Sequence, residues 1–143
     1  MVLERKGPSL PQALPNAAEK TPAPKKAAGD AAEAQALRWL QSRGLQPVAR
    51  NYRVARGPSA RGGEVDLIVR ERDGTLVFVE VRARADARHG GAAASVSAMK
   101  RRRIVYAAQH FLMRLAAPPP CRFDVIAIEG DRVEWLKGAF DAA

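Results

Sequence analysis

At 143 residues and 47% hydrophobic content, the chain is long enough to bury one ordinary core, so a single domain is expected. Lys and Arg number 24 against 15 Asp and Glu, and the resulting +9 favours polyanionic partners, nucleic acid or an acidic membrane surface. The one cysteine, Cys121, excludes an internal disulfide and a thiolate zinc site, no run reaches the roughly 18 apolar residues of a membrane span, and "MVLERKGPSL" lacks the apolar stretch of a secretory signal, so a soluble, cytoplasmic protein is expected.

Residues 1–28 hold Pro8, Pro11, Pro15, Pro22 and Pro24 among Ala and Lys, with no aromatic residue. Such a segment cannot bury enough apolar surface to offset its ordering entropy, and it reads as a disordered tail ahead of a domain spanning residues 29–143. "DAAEAQALRWLQSRG" then predicts a helix, with Asp30 as cap, Glu33 three residues on, a stripe of Ala32, Ala36, Leu37 and Leu40, and Gly44 as stop. "QPVARNYRV" predicts a short strand and "ARGPSARG" a loop. "GEVDLIVRERDGTLVFVEVRAR", residues 63–84, predicts two strands joined by a turn. "ARADARHGGAAA", residues 83–94, predicts a mobile loop. In "SAMKRRRIVYAAQHFLMRLAA", Ile104, Ala108, Phe111 and Leu115 recur at helical intervals behind Ser97 as cap. After "PPP", the strands "CRFDVIAIE" and "RVEWLK" flank a "GD" turn. The order of helix, three strands, helix and two strands implies an α/β domain with a mixed sheet flanked by helices.

The paired strands at 63–84 carry acids where a core wants hydrocarbon. A three-residue "RDG" turn with Gly74 in the left-handed conformation makes positions whose numbers sum to 146 face each other. Asp66 then faces Glu80 and Glu64 faces Arg82, all on one side, while Val65, Leu67, Val69, Val77, Val79 and Val81 form an apolar side for a helix. Like charges across a ladder repel, and two desolvated carboxylates cost several kcal/mol, so the arrangement calls for neutralisation. A hard divalent cation, Mg²⁺ or Mn²⁺, provides it through oxygen ligands, and its retained waters can meet phosphate. In a basic protein the pair becomes a candidate site for phosphodiester hydrolysis, with the metal as Lewis acid and source of hydroxide. A solvated face of an edge hairpin accounts for the same spacing.

An Asp in one strand, a turn, and Glu-x-basic in the next strand resembles the active-site signature of the PD-(D/E)xK nuclease superfamily. More closely, "GEVDLI", "LVFVEVRAR", "GGAAASV", "RFDVIAI" and "EWLKGAF" resemble the YraN family, itself similar to restriction endonucleases and Holliday-junction resolvases. The likeness runs over residues 29 to 140. It implies a restriction endonuclease-like fold in the order α-β-β-β-α-β-β and a metal-dependent endonuclease acting on DNA, structured or branched forms included. It also implies Asp66 and Glu80 as metal ligands together with the backbone carbonyl of Val81. Glu64 matches the family's Gly-Glu pair. Glu33 matches an acidic position on the first helix that many of these nucleases place near the metal, although its spacing from Asp30 also fits a capping box.

Arg82 stands where the superfamily motif has lysine. A guanidinium cannot serve as general base near neutral pH, but it can hold a scissile phosphate and stabilise the transition state. Catalysis would then rest on metal-bound hydroxide or on Lys100 reaching in from the second helix. The rival reading is a catalytically inactive nuclease-fold protein that binds nucleic acid.

Lys100, Arg101, Arg102 and Arg103 open the second helix; such a run is more often a solvated face, but the macrodipole disfavours cations there, and that small cost makes phosphate contact a fair hypothesis. His89 and His110 are too few for a histidine metal site. Asp124, inside an apolar strand, is expected to accept hydrogen bonds from Arg122 or a loop backbone. Trp39, Tyr52, Phe111, Phe123 and Trp135 are too dispersed for a stacking platform and read as core, and Cys121 reads as a small buried residue.

Overall fold

The computed structural model of the chain describes residues 24–56, 62–83 and 96–142. Residues 1–23 of the expected tail, most of the "ARGPSARG" loop, and residues 84–95 with His89 lie outside the described residues. The elements follow in the order α1 (Pro24–Ser42), β1 (Gln46–Val54), β2 (Gly63–Arg70), β3 (Leu76–Ala83), α2 (Ala98–Met113), β4 (Cys121–Glu129) and β5 (Arg132–Phe140). The five strands form one sheet in sequence order. Its ladders are antiparallel except for the parallel pair β3 and β4, which α2 connects. The chain therefore has the mixed α/β, restriction endonuclease-like architecture that the sequence implied, with a helix on each side of the sheet.

The "RDG" turn sets the hairpin register. Gly74 adopts φ +96° and donates to Glu71 O at 3.0 Å, while Glu71 N donates to Thr75 O at 2.9 Å. The ladder then runs from Arg70↔Leu76 to Leu67↔Val79, the expected register. β2 lies between β1 and β3, and β3 between β2 and β4, so this hairpin is interior and not at an edge. Both of its faces are consequently covered. Leu67, Val69, Val77 and Val79 pack with Ala36 and Leu40 of α1. Ile68, Leu76 and Phe78 pack with Ile104, Ala107, Ala108 and Phe111 of α2. Val65, expected beside Leu67, belongs instead to the α2 core, so the side alternation fails where the hairpin opens.

Two glycines fix the helices. Gly44, at φ +92°, ends α1 and lets Leu45 N reach back to Leu40 O at 3.2 Å. At Gly63 a Cβ would lie 2.5 Å from Arg103 O and 2.7 Å from Ala107 N, so α2 crosses β2 at a distance only glycine permits. Ser97 caps α2 as expected, accepting from Lys100 N at 3.1 Å. α1, however, begins at Pro24, so Asp30 lies within the helix and does not cap it, and the boundary drawn at residue 28 falls inside α1. β5 continues past Lys137 to Phe140.

Asp124 does what its place in an apolar strand requires. Fully buried, it accepts from Arg122 Nε at 3.0 Å, Trp135 Nε1 at 2.8 Å and Gly138 N at 2.9 Å, tying β4 to β5. The aromatic residues pair in space although they are scattered in sequence: Phe78 stacks on Phe123, Phe123 on Phe140, and Tyr52 meets Phe111 edge-on. Trp39 and Trp135 also touch, 5.5 Å between centroids, and cations cover them, with Arg43 3.9 Å and Lys137 4.3 Å from the rings. Core packing is thus their role. Cys121 departs from expectation: it is exposed, as the first residue of β4 before the helices cover the sheet. No helix among the described residues is long and apolar enough to cross a membrane.

Candidate functional site

The β2–β3 ladder stops at Leu67↔Val79, one step before Asp66 and Glu80. There the Asp66 carboxylate substitutes for a backbone partner, accepting from Val81 N at 2.9 Å. Asp66 is only 9% exposed and Glu80 2%, so the two acids are walled in by the sheet and not solvated on its face. They hydrogen-bond to each other. Burial first and the Asp66 charge second push Glu80 up to about 8. Burial also raises Asp66, against the opposing pull of the Val81 amide, the Glu80 hydrogen bond and the Lys100 charge. The pair therefore keeps one proton between its carboxyl groups at neutral pH.

Two cations converge on one oxygen of Glu80. Lys100 Nζ lies 3.2 Å and Arg82 Nη1 3.5 Å from Oε2. Lys100 arrives from the first turn of α2, and the acid across from it offsets the cost of a cation at a helix N-terminus. Arg82 projects from β3 two residues after Glu80, on the same side of the strand. Its Nε is buried without a hydrogen-bond partner, so the guanidinium has donor capacity in hand.

Glu33 belongs to this cluster. With the helix starting at Pro24, it sits well inside α1 and not in the first turn, near enough to Asp66 to feel its charge. Burial and then Asp66 raise its own pKa, while an Asn51 hydrogen bond and Arg50 lower it. Glu33 Oε1 is buried with no hydrogen-bond partner, Arg50 Nη2 standing off at 3.9 Å. Asn51 was not anticipated from the sequence. It is the one described residue other than glycine with positive φ, at 51°, a conformation asparagine tolerates, and its side chain meets Glu33. An asparagine inside a strand pattern, where that residue is disfavoured, is the signal that could have found it.

The remaining expected residues are placed less centrally. Glu64 pairs with Arg53 of β1 at 3.3 Å, and not with Arg82, because β1 is its nearer neighbour in the ladder. Successive helical residues point about 100° apart, and Lys100 parts from the three arginines that follow it. Lys100 turns to Glu80, Arg101 Nε donates to Val96 O at 3.0 Å, Arg103 Nε donates to Gly62 O at 3.3 Å, and Arg102 is exposed.

Does this donor set suit a divalent cation? Among the described residues no group of three or more His, Cys, Asp or Glu side chains forms a ready-made cage. A buried carboxylate pair and a neighbouring carboxylate with an orphaned oxygen nonetheless supply the hard oxygen ligands that Mg²⁺ takes. The residues fit.

The family model described as Uncharacterised protein family UPF0102 matches residues 32–128, which include every member of the cluster. A UPF0102 protein of Methylibium petroleiphilum is 64% identical over 118 residues, covering 82% of this chain and 97% of the relative. One from an Acidovorax species is 61% identical over 118 residues, covering 82% and 87%, and one from Cupriavidus taiwanensis 56% identical over 118 residues, covering 82% and 86%. No solved structure matches the chain.

Proposed function

This chain belongs to the UPF0102 family, which is the YraN family of the sequence likeness, and we propose that it is a metal-dependent endonuclease hydrolysing phosphodiester bonds in DNA. The observation that carries the reading is the pairing of buried Asp66 and Glu80 at the opening of an interior hairpin, with Lys100 and Arg82 on Glu80. Two carboxylates sharing a proton in a protein of +9 charge are costly to bury, and a dication displacing that proton would relieve the cost. The resemblance to PD-(D/E)xK nucleases supports the same assignment. Asp66, Glu80 and the Val81 carbonyl would hold Mg²⁺ or Mn²⁺, with Glu33 and Glu64 around it. When bound, the metal would supply Lewis-acid activation of water and phosphate.

The chain's own residues do the rest. Arg82 offers its guanidinium to a phosphate oxygen, and a fixed planar donor there stabilises the charge that grows on phosphorus oxygens during attack. Lys100 keeps Glu80 in place and brings a second positive charge beside the reacting phosphate. The Val81 amide holds Asp66 in its rotamer. The likeness to Holliday-junction resolvases favours branched or otherwise structured DNA, and a cytoplasmic setting suits the free cysteine.

Incubation of the protein with Mg²⁺ and supercoiled, single-stranded and branched DNA tests this. Cleavage should occur and should fall at least about a hundredfold in Asp66→Asn that circular dichroism shows to be folded. Equal cleavage by the variant would rule the site out. A second reading, a nucleic-acid-binding protein without catalysis, is favoured by Arg82, which cannot take a proton from water. It predicts steeply salt-dependent binding without a metal requirement and without cleavage.

A further inference from the structure

The outer flank of α2 carries a groove that the carboxylate site does not use. Ala98, Arg101, Arg102, Val105, Tyr106 and Gln109 recur at helical spacing and face the end of β5, enclosing a cavity of about 740 Å³. A second hollow of about 220 Å³ shares Arg56, Arg102 and Tyr106 with it and extends it past Met99 and Arg103. The floor is apolar and partly aromatic, through Val105, Tyr106 and Phe140. Met99 beside it is 47% exposed, a large apolar side chain left in water.

The rim is basic. Among the described residues, four arginines, Arg56, Arg101, Arg102 and Arg103, border the two hollows, against a single carboxylate, Asp141. Backbone carbonyls orient two of them through Nε, and Arg56 lies flat against Tyr106, 4.2 Å from its centroid. Lys100, on the next position of the helix, reaches Glu80. The groove and the carboxylate pair are therefore two flanks of one helical turn.

We propose that this groove binds an unpaired stretch of nucleic acid, its phosphates on Arg56 and Arg102 and a base against Tyr106. The charge of the rim selects a polyanion, and the planar guanidinium fork matches the oxygens of a phosphate. The floor then decides which polyanion. A duplex keeps its base faces stacked inside and offers nothing to an apolar, aromatic floor, whereas an unpaired base has a free π-face that stacks on tyrosine and on arginine. The volume is that of a pocket for a small organic ligand, on the order of 300–1,000 Å³, which accommodates a base but not a duplex. The inference deepens the reading of the chain as one that acts on nucleic acid, and points to substrates with a single-stranded segment.

The test is equilibrium binding by fluorescence anisotropy in chelator. No metal site can contribute there, so failure of the groove and failure of the nuclease reading are told apart. The probes are a labelled single-stranded oligonucleotide and the blunt duplex of the same sequence. Wild type should bind the single strand about tenfold more tightly than the duplex, the worth of one stacked base. R56Q/R102Q should weaken single-strand binding and reduce the slope of log K against log salt by about 1.4, as loss of two phosphate contacts requires. Tyr106→Leu should remove the single-strand preference and leave the slope alone. The control R38Q/R72Q removes two exposed arginines elsewhere and should change the slope less than the groove pair does. The proposal is overturned if the duplex binds as tightly as the single strand, if Tyr106→Leu keeps the preference, or if the control pair matches R56Q/R102Q.

Discussion

Glu80 is where the chemistry of the molecule is set. Unfolded, it titrates near its ordinary 4.5, and folded, near 8, because it is buried beside Asp66. Between those values the folded chain retains a proton that the unfolded chain has released. Stability is therefore highest below the lower value, falls as pH rises through the window, and levels above about 8. Urea midpoints of the metal-free protein should fall by the equivalent of a few kcal/mol from about pH 5 to about pH 9, and Glu80→Gln should flatten that fall. A midpoint independent of pH in wild type would mean that the pair is not coupled to folding. The same proton has to leave when a dication enters, so Mg²⁺ affinity should rise with pH and level above about 8. Half-dose magnesium at each pH, read by calorimetry, checks the sign.

At the scale of elements, the hairpin and the second helix were legible for different reasons. Gly74 and the alternation of Val and acid make the β2–β3 register readable from the sequence, because a three-residue turn leaves one way to pair the strands. The same alternation misplaced Val65 and suggested a half-solvated face, since nothing local says that β1 and β4 will bracket the hairpin or that the ladder will open at Asp66. α1 was read six residues short. Gly29 and Pro24 look like breakers, yet proline is tolerated in a helix's first turn, and the alanines between favour helix. That error mattered, since a Glu33 in the first turn is a cap, and a Glu33 within the helix can face Asp66. The basic run was read as a unit, and the helical rotation divides it between the two flanks of α2. The closeness of α2 to β2 was not legible at all, because it depends on Gly63 being without a side chain. Gly63→Ala should destabilise by about 1–3 kcal/mol, since Arg103 O and Ala107 N are backbone atoms that cannot swing aside. A thermal melt that matches wild type would show that the helix can shift without cost.

Over the whole molecule, the two helices make the sheet interior, and the interior makes the acids expensive. β2 and β3 are covered by α1 on one side and α2 on the other, so Asp66 and Glu80 lie in the layer where an uncompensated charge costs most. Each helix then contributes one charged residue to that layer, Glu33 from α1 and Lys100 from α2, and β3 adds Arg82. A scaffold with only structural demands would fill these positions with hydrocarbon, as it does two residues away at Ile68 and Phe78. The proposed divalent-metal role of the pair is read out by titration calorimetry with Mn²⁺ above the pH at which the pair loses its proton. Wild type should show saturable binding, and the Asp66→Asn, Glu80→Gln double variant, folded by circular dichroism, should show none. Equal heats from both proteins, with DNA present or absent, would contradict the assignment of these carboxylates to a metal.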